Sequence, residues 1–255
     1  CLSQQHCVYA LGYESQNPQG GGRPSPPHPF VIQPPPTTQT HFQPTDSFAF
    51  RLLLFGWAND YLPYFIYAFQ EMGQIGLGKR LAGRRAGFRL EQVTDGEEVV
   101  YDGSRQQLRK KAPPELVLEP PAAAAPASLT VRLETPLRLK FQNTLRAELP
   151  FHLLIRAALR RLAALNQHYG GGEPPLDYRG LVARAQAVAI QTSRLQWYDW
   201  ERYSNRQDQA MLMGGMTGAI TYEGNLAEFL PLLRYGEKVH LGKATTFGMG
   251  KIIIE

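Results

Sequence analysis

A glycine-rich stretch near the carboxyl end restricts the structures that this chain can adopt. Residues 239–251 read VHLGKATTFGMGK and lead directly into three isoleucines. Such glycines permit positive φ and close approach of a partner to backbone N–H groups, so we predict a loop that binds phosphate. The donors would be Gly242, Lys243, Thr245, Thr246, Gly248, Gly250 and Lys251. No GxxxxGK[ST] sequence opens a helix here, which disfavours nucleotide hydrolysis. The alternative interpretation is a tight glycine turn before an edge strand, with surface lysines.

A strand, a helix, a glycine-rich loop and a second strand follow one another in both halves of the chain. Gly56 lies 20 residues before Gly76, and Gly224 lies 18 residues before Gly242. This self-similarity predicts a tandem repeat of one β-α-β unit. We place the elements at 47–56, 59–73, 73–85 and 88–93, and again at 211–222, 226–234, 242–250 and 251–255. In the first copy, the residues predicted to bind phosphate are Gly76, Gly78, Lys79, Arg80, Arg84 and Arg85.

Further elements complete the second half. Alternating apolar residues predict strands at 129–134 and 137–141, which form one bent strand or two short ones, and an aromatic-rich strand at 194–203. Helical spacing predicts a long helix over 150–168 and a short one over 178–187. The resulting order β, α, β, β, α, β is the split βαβ of a ferredoxin-like, or RRM-like, domain.

The expected fold class is therefore α+β, with tandem ferredoxin-like domains. The first domain spans 1–119 and includes a proline- and glycine-rich loop at 15–46, a hairpin within 97–118 and a possible early strand at 7–13. We expect its opening strand and helix to be missing from the sequence, which agrees with an unusual start at Cys1. A linker at 120–127 leads to the second domain, 128–255.

The charge distribution points to an acidic partner. The formal net charge is +5, and the excess is concentrated in the two loops and on the long helix, where Arg156 and Arg160 accompany Arg161. Because no run of about 18 apolar residues occurs, we expect a cytoplasmic protein that does not bind membranes. Cys1 and Cys7, beside His6, are too few for a closed zinc site, so we expect neither a metal nor a cofactor.

Several motifs resemble those of a known family. They are SNRQ at 204–207, GGMTG at 214–218, YEG at 222–224, FLPLL at 229–233 and HLGKATTFGMGK at 240–251. Together they resemble the carboxyl-terminal signature of the CRISPR precursor-RNA processing endoribonucleases of the RAMP superfamily. The resemblance is dense over 190–255 and extends to 73–85 and to YLPY at 61–64. It implies that the glycine-rich loops grip CRISPR repeat RNA and that other CRISPR effector subunits are partners.

The resemblance also implies metal-independent cleavage, in which a ribose 2′-hydroxyl attacks the adjacent phosphate. This reaction needs a base, an acid and a cation over the phosphorane. Of the six histidines, His41 and His240 are the catalytic candidates, although a histidine that completes the helix-to-loop turn is an alternative for His240. In the family, the catalytic histidine commonly belongs to the opening helix region that we expect this sequence to lack. The base would then lie upstream of Cys1 or be another residue.

Hypotheses from three classes follow. The first is an endoribonuclease that processes precursor CRISPR RNA into guide RNAs. The second is a non-catalytic RAMP subunit that holds guide RNA in a CRISPR effector complex, as loss of the histidine would favour. The third, a metabolic enzyme of ferredoxin-like fold, would need a compact pocket with a paired acid and base, which the sequence does not indicate.

Overall fold

The computed structural model describes residues 7–13, 26–109, 111–120, 126–141, 144–204 and 208–255. Within these ranges the helices are α1 (Val8–Tyr13), α2 (Leu62–Ile75), α3 (Phe151–Tyr169), α4 (Tyr178–Arg184) and α5 (Leu230–Val239). The strands are β1 (Phe30–Gln33), β2 (Arg51–Leu54), β3 (Leu77–Leu81), β4 (Arg84–Ala86), β5 (Gln92–Asp95), β6 (Glu98–Asp102), β7 (Gln107–Leu108), β8 (Ser128–Leu137), β9 (Ala189–Ser193), β10 (Gln196–Ser204), β11 (Gln209–Glu223) and β12 (Ile252–Ile254). The protein is a mixed α and β structure, and its named strands all pair antiparallel.

The largest sheet lies in the second half of the chain. Its strand order is β10-β11-β8-β12. Strand β9 pairs with the last residues of β11, after those that pair with β10. Ile220 of β11 faces Val131 of β8, and Ile253 of β12 faces Arg132 of β8. Two helical connections, through α3 and through α5, separate β8 from β9 and β11 from β12. The order of elements is β8, α3, α4, β9, β10, β11, α5, β12, so the structure adds the unpredicted strand β9 to the predicted β, α, β, β, α, β series, and β8 is one continuous strand.

One hydrophobic core joins this sheet to α3 and α5. Alternate residues of β8 are buried, and Leu154, Ile155 and Leu162 of α3 pack into the same cluster. The Tyr222 ring lies edge-on to Phe151 with ring centroids 4.8 Å apart, and its hydroxyl donates to the Leu149 carbonyl at 2.7 Å. These contacts hold the amino-terminal end of α3 on the sheet.

The chain divides into two compact units. One unit contains residues 1–55 together with 116–255, and the other contains 56–115. This division differs from the predicted boundary at 120–127. The reason is that the β1–β2 pair packs against the loop that precedes β12, where Ile32 and Pro34 approach Gly248. The second unit contains α2, the β3–β4 hairpin and the three-stranded sheet β5-β6-β7.

Some local predictions were wrong. Residues 8–13, predicted as part of a strand, form α1, in which Tyr9 and Tyr13 stack one turn apart at 5.3 Å. The strand predicted at 88–93 begins only at Gln92, and the predicted hairpin at 97–118 pairs only β6 with the short β7. Parts of the 15–46 loop and of the linker lie outside the described residues. None of the described helices is both long and apolar enough to cross a membrane.

Candidate nucleic-acid interface

The carboxyl-terminal glycine-rich loop starts where α5 ends and returns to β12. Leu241 N–H donates to the Gly250 carbonyl at 2.8 Å, and Gly250 N–H donates to the Pro136 carbonyl at 3.0 Å. The two arms of the loop are thus tied to each other and to the end of β8. Between them, residues 245–247 form a single 3₁₀ turn. The loop is a hydrogen-bonded structure, and its conformation is set by the chain itself.

The glycines of this loop are required by close contacts within the chain. Gly242, Gly248 and Gly250 have φ of 83°, 78° and 79°. A Cβ on Gly242 would lie 2.7 Å from the Arg138 carbonyl oxygen, and one on Gly248 would lie 2.6 Å from Pro34 Cδ. Gly248 and Gly250 are buried. We predicted that these glycines admit an external partner, whereas the structure shows that backbone and side chains of the protein fill the space.

The exposed part of the loop carries fewer donors than the sequence suggested. Lys243 is exposed, and Gly242, Thr245 and Thr246 are partly exposed. Lys251 is half-buried; its ammonium donates to the Glu237 carbonyl, and burial lowers its pKa. The backbone N–H of Lys251 donates to Thr135 Oγ1 at 2.9 Å, and this bond holds Lys251 beside β8. Lys243 is therefore the better placed of the two lysines to meet a phosphate in solvent.

Arg161 forms hydrogen bonds to Val239, the residue just before the loop. Its Nε and Nη2 both donate to the Val239 carbonyl at 3.1 Å, at the last residue of α5. The guanidinium lies 5.4 Å from the centroid of the Phe55 ring, and burial lowers the pKa of Arg161 to about 10. The sequence grouped it with two exposed arginines. Helical spacing from Ala158 to Leu165 could have shown instead that Arg161 lies on the buried face.

His240 occupies the interior of the loop. It is only 1% exposed, and its Nδ1 lies 3.1 Å from the Met249 carbonyl, so Nδ1 carries the proton and donates it. Nε2 is buried and has no hydrogen-bond partner among the described residues. Burial lowers the pKa of His240 to about 4, and the charges of Lys251 and Arg161 act in the same direction. This geometry favours the alternative role, a neutral histidine that completes the helix-to-loop turn, and gives no support to catalysis by His240.

His41 lies in a different environment. It is exposed, in the segment between β1 and β2, and its Nδ1 is 2.9 Å from Thr40 Oγ1. An exposed imidazole is accessible to a substrate, so the predicted catalytic role of His41 stays a prediction. Cys7 is a free, half-buried thiol, whereas Cys1 and His6 lie outside the described residues.

The first glycine-rich basic segment is a β-hairpin rather than an open loop. Its two-residue turn has φ of 48° at Ala82 and 81° at Gly83, the type I′ geometry that suits antiparallel strands. A Cβ on Gly76 would lie 2.8 Å from the Ala86 carbonyl oxygen, whereas Gly78 faces open space. The hairpin exposes Lys79, Arg80, Arg84 and Arg85. Within the described ranges none of these four forms an ion pair.

The third predicted cluster lies on α3. Arg156 and Arg160 are exposed one turn apart and line a shallow groove with Tyr178 and Val182 of α4. His152 precedes Arg156 by one turn, and its pKa is lowered by burial and then by the charge of Arg156. The exposed cations that were predicted to bind RNA are thus divided among three surfaces: the carboxyl-terminal loop and α3 in one unit, and the hairpin in the other.

Comparison with known proteins adds three findings. Residues 131–252 match the family model of the CRISPR-associated endoribonuclease Cas6, and residues 1–113 match a model described as an N-terminal domain, AF_1859_N. The two matched ranges fall on either side of the predicted linker. An uncharacterized protein of Archaeoglobus fulgidus is 28% identical over 264 residues, covering 98% of this chain and 80% of that protein.

Two solved structures are also similar in fold. A Cas6 product complex aligns with a TM-score of 0.52 and 18% identity, covering 97% of this chain and 89% of the other. A product complex of a Thermus thermophilus Cas6 aligns with a TM-score of 0.53 and 16% identity, covering 91% of this chain and 84% of the other.

Proposed function

We propose that the chain, of which residues 131–252 match the family model of the CRISPR-associated endoribonuclease Cas6, binds CRISPR repeat RNA and cuts precursor CRISPR RNA into guide RNAs. The observation that carries this proposal is the family match, because it includes the whole glycine-rich loop and the exposed Lys243. The proposal includes tandem ferredoxin-like domains, action in the cytoplasm, and other CRISPR effector subunits as partners.

The proposed reaction is a metal-independent transesterification. The ribose 2′-oxygen loses its proton to a base and forms a bond to the adjacent phosphorus, while the bond from phosphorus to the 5′-oxygen breaks. The 5′-oxygen takes a proton from an acid, which leaves a 2′,3′-cyclic phosphate and a free 5′-hydroxyl. Lys243 is the proposed cation for the phosphate, and His41, the exposed candidate, is the proposed base or acid.

Labelled repeat RNA incubated with the protein in EDTA tests this proposal. We expect cleavage to a 2′,3′-cyclic phosphate, and we expect RNA with a 2′-deoxyribose at the cut position to be bound but not cut. Lys243→Ala should weaken binding, whereas Lys238→Ala removes an exposed cation that is paired with Glu119 at 3.5 Å and should have little effect. Cleavage of the deoxy substrate, or equal effects of the two substitutions, would contradict the mechanism.

A second candidate function is a non-catalytic RAMP subunit that holds guide RNA. The observation that favours it concerns the two candidate histidines, since His240 is buried and the described side-chain partner of His41 is the Thr40 hydroxyl. In the same assay, tight binding of repeat RNA without any cleavage would select this function. If the parent protein does cleave the RNA, His41→Ala should abolish cleavage without weakening RNA binding, which would exclude the scaffold function and assign His41 to the reaction.

A further inference from the structure

Helix α2 carries two exposed tyrosines, Tyr64 and Tyr67, that are not part of the buried core. Tyr64 is 60% exposed and Tyr67 is 62% exposed, although the same helix buries Phe65 and Ile66 on its opposite side. Residues three apart on a helix are neighbours, so the two phenol rings lie on one face. Exposed apolar side chains that lie together mark interaction sites, whereas singly exposed ones are ordinary.

The ring of Tyr64 belongs to a continuous series of aromatic contacts. Trp57 and Tyr61 lie edge-to-face with ring centroids 5.5 Å apart, and Tyr61 and Tyr64 are tilted at 5.6 Å. Trp57 and Tyr61 are themselves only partly exposed. The series therefore contacts Tyr64, whose ring remains largely exposed. A ring held in this way loses little side-chain entropy when another ring stacks on it.

The exposed face leads toward the cationic hairpin. Ile75, at the end of α2, is 70% exposed, and β3 follows after Gly76. No aspartate or glutamate occurs between Glu71 and Glu91. At about 1.5 Å per residue, Tyr67 lies about 14 Å along the helix from Gly76, a distance that a few extended nucleotides span. Glu71 shares the exposed face and repels phosphate, so the favourable arrangement has bases over the helix and phosphates at the hairpin.

We infer that residues 56–115 bind unpaired nucleotides of the RNA, with bases stacked on Tyr64 and Tyr67 and phosphates held by the hairpin cations. Aromatic faces combined with unpaired cations are the usual means of holding single-stranded nucleic acid without reading its sequence. The inference rests on the proposed function for the identity of the RNA. It adds a second binding surface, for single-stranded nucleotides, to the glycine-rich loop.

The test compares full-length variants with two RNA probes. One probe is an unstructured oligonucleotide without repeat sequence, and the other is a repeat stem-loop with no unpaired flanks; fluorescence anisotropy gives both dissociation constants. Tyr64→Ala combined with Tyr67→Ala should weaken binding of the unstructured probe at least tenfold, which corresponds to loss of about 1.4 kcal/mol of stacking. Binding of the stem-loop should stay within twofold.

Two controls keep the result specific. The Tyr64→Phe, Tyr67→Phe pair keeps both rings and should bind the unstructured probe as the parent does. Tyr9→Ala removes a tyrosine that is also 60% exposed, in α1, and should have no effect. Because the unstructured probe contains no repeat, loss of its binding does not depend on cleavage. The result can therefore be interpreted even if the proposed nuclease function is wrong.

Three outcomes would overturn the inference. The first is unchanged binding of the unstructured probe by the double alanine variant, and the second is an equal loss for both probes. The third is conversion of a parent dimer to a monomer in light scattering, which would assign the tyrosine face to a contact between two copies of the chain.

Discussion

Gly250 offers a quantitative test of the idea that the carboxyl-terminal loop is built on close contacts within the chain. Its φ is +79°, and an added Cβ would overlap the Leu241 carbonyl oxygen and lie 2.8 Å from the carbonyl carbon. The obstacle is backbone, so it cannot rotate away as a side-chain tip would. We therefore expect Gly250→Ala to displace the two arms of the loop.

The magnitude follows from three contributions. An alanine with left-handed φ costs about 1–2 kcal/mol. Displacement also breaks the bond from Leu241 N–H to the Gly250 carbonyl and the bond from Gly250 N–H to the Pro136 carbonyl. Each such bond contributes about 1 kcal/mol, so the free energy of unfolding should fall by about 3–4 kcal/mol.

Gly78→Ala is the matched control. Gly78 has a nearly identical φ of +81°, but no atom lies within 4 Å of its added Cβ. It should therefore lose only the contribution from left-handed backbone, about 1–2 kcal/mol. Urea unfolding of both variants and the parent, followed by far-ultraviolet circular dichroism, measures the difference. Equal losses in the two variants would refute the argument, because they would show that close approach at Gly250 contributes nothing.

Three further predictions concern charged and titrating groups. Because the pKa of His240 is about 4 in the folded protein and near 6.5 when unfolded, the unfolded state binds the proton first as pH falls. The free energy of unfolding should decrease between pH 6.5 and pH 4 by up to about 3 kcal/mol. The variant His240→Asn keeps a hydrogen-bond donor but cannot titrate, so its urea midpoint should not show this decrease. Arg161→Met should lower stability by about 1–3 kcal/mol by leaving the Val239 carbonyl without its donors, whereas Arg156→Met should change it by less than about 0.5 kcal/mol; similar losses in thermal or urea unfolding would contradict this. Replacing both Lys79 and Arg80 by alanine should reduce the slope of log affinity against log salt by about 1.4 in RNA titrations, and an unchanged slope would mean that these cations do not meet phosphates.

Local periodicity was a reliable guide to the carboxyl-terminal sheet. The alternation of Leu129, Val131 and Leu133 is the inward face of β8, and the apolar spacing over 150–168 marks α3 almost to the residue. Both signals arise because one face of each element meets the common core, which leaves a regular pattern in the sequence.

Contacts between distant segments left no such pattern. No sequence feature near Pro34 indicates that it contacts Gly248, and none near Phe55 indicates that it lies against Arg161. In each pair the two residues are more than 100 positions apart in the sequence. Short elements were also difficult to predict. The sequence of α1 contains both β-branched and aromatic residues, and its helical state is stabilised by the burial of Ala10 and the stacking of its tyrosines.

The sequence correctly indicated that the glycines of the carboxyl-terminal loop have a structural purpose, but the predicted purpose differs from the one that the structure shows. Glycines at 242, 248 and 250 suggested an opening for a ligand, but they allow the loop to pack against Arg138, Pro34 and Leu241. The consequence for function is that Lys243 projects from a fixed backbone, because its own N–H donates to the Arg138 carbonyl at 3.0 Å. A cation fixed in this way loses less entropy on meeting a phosphate than one on a mobile loop. RNA affinity should therefore depend on buried residues such as Gly250 that never touch the RNA, and Gly250→Ala should weaken RNA binding even under conditions where the protein remains folded.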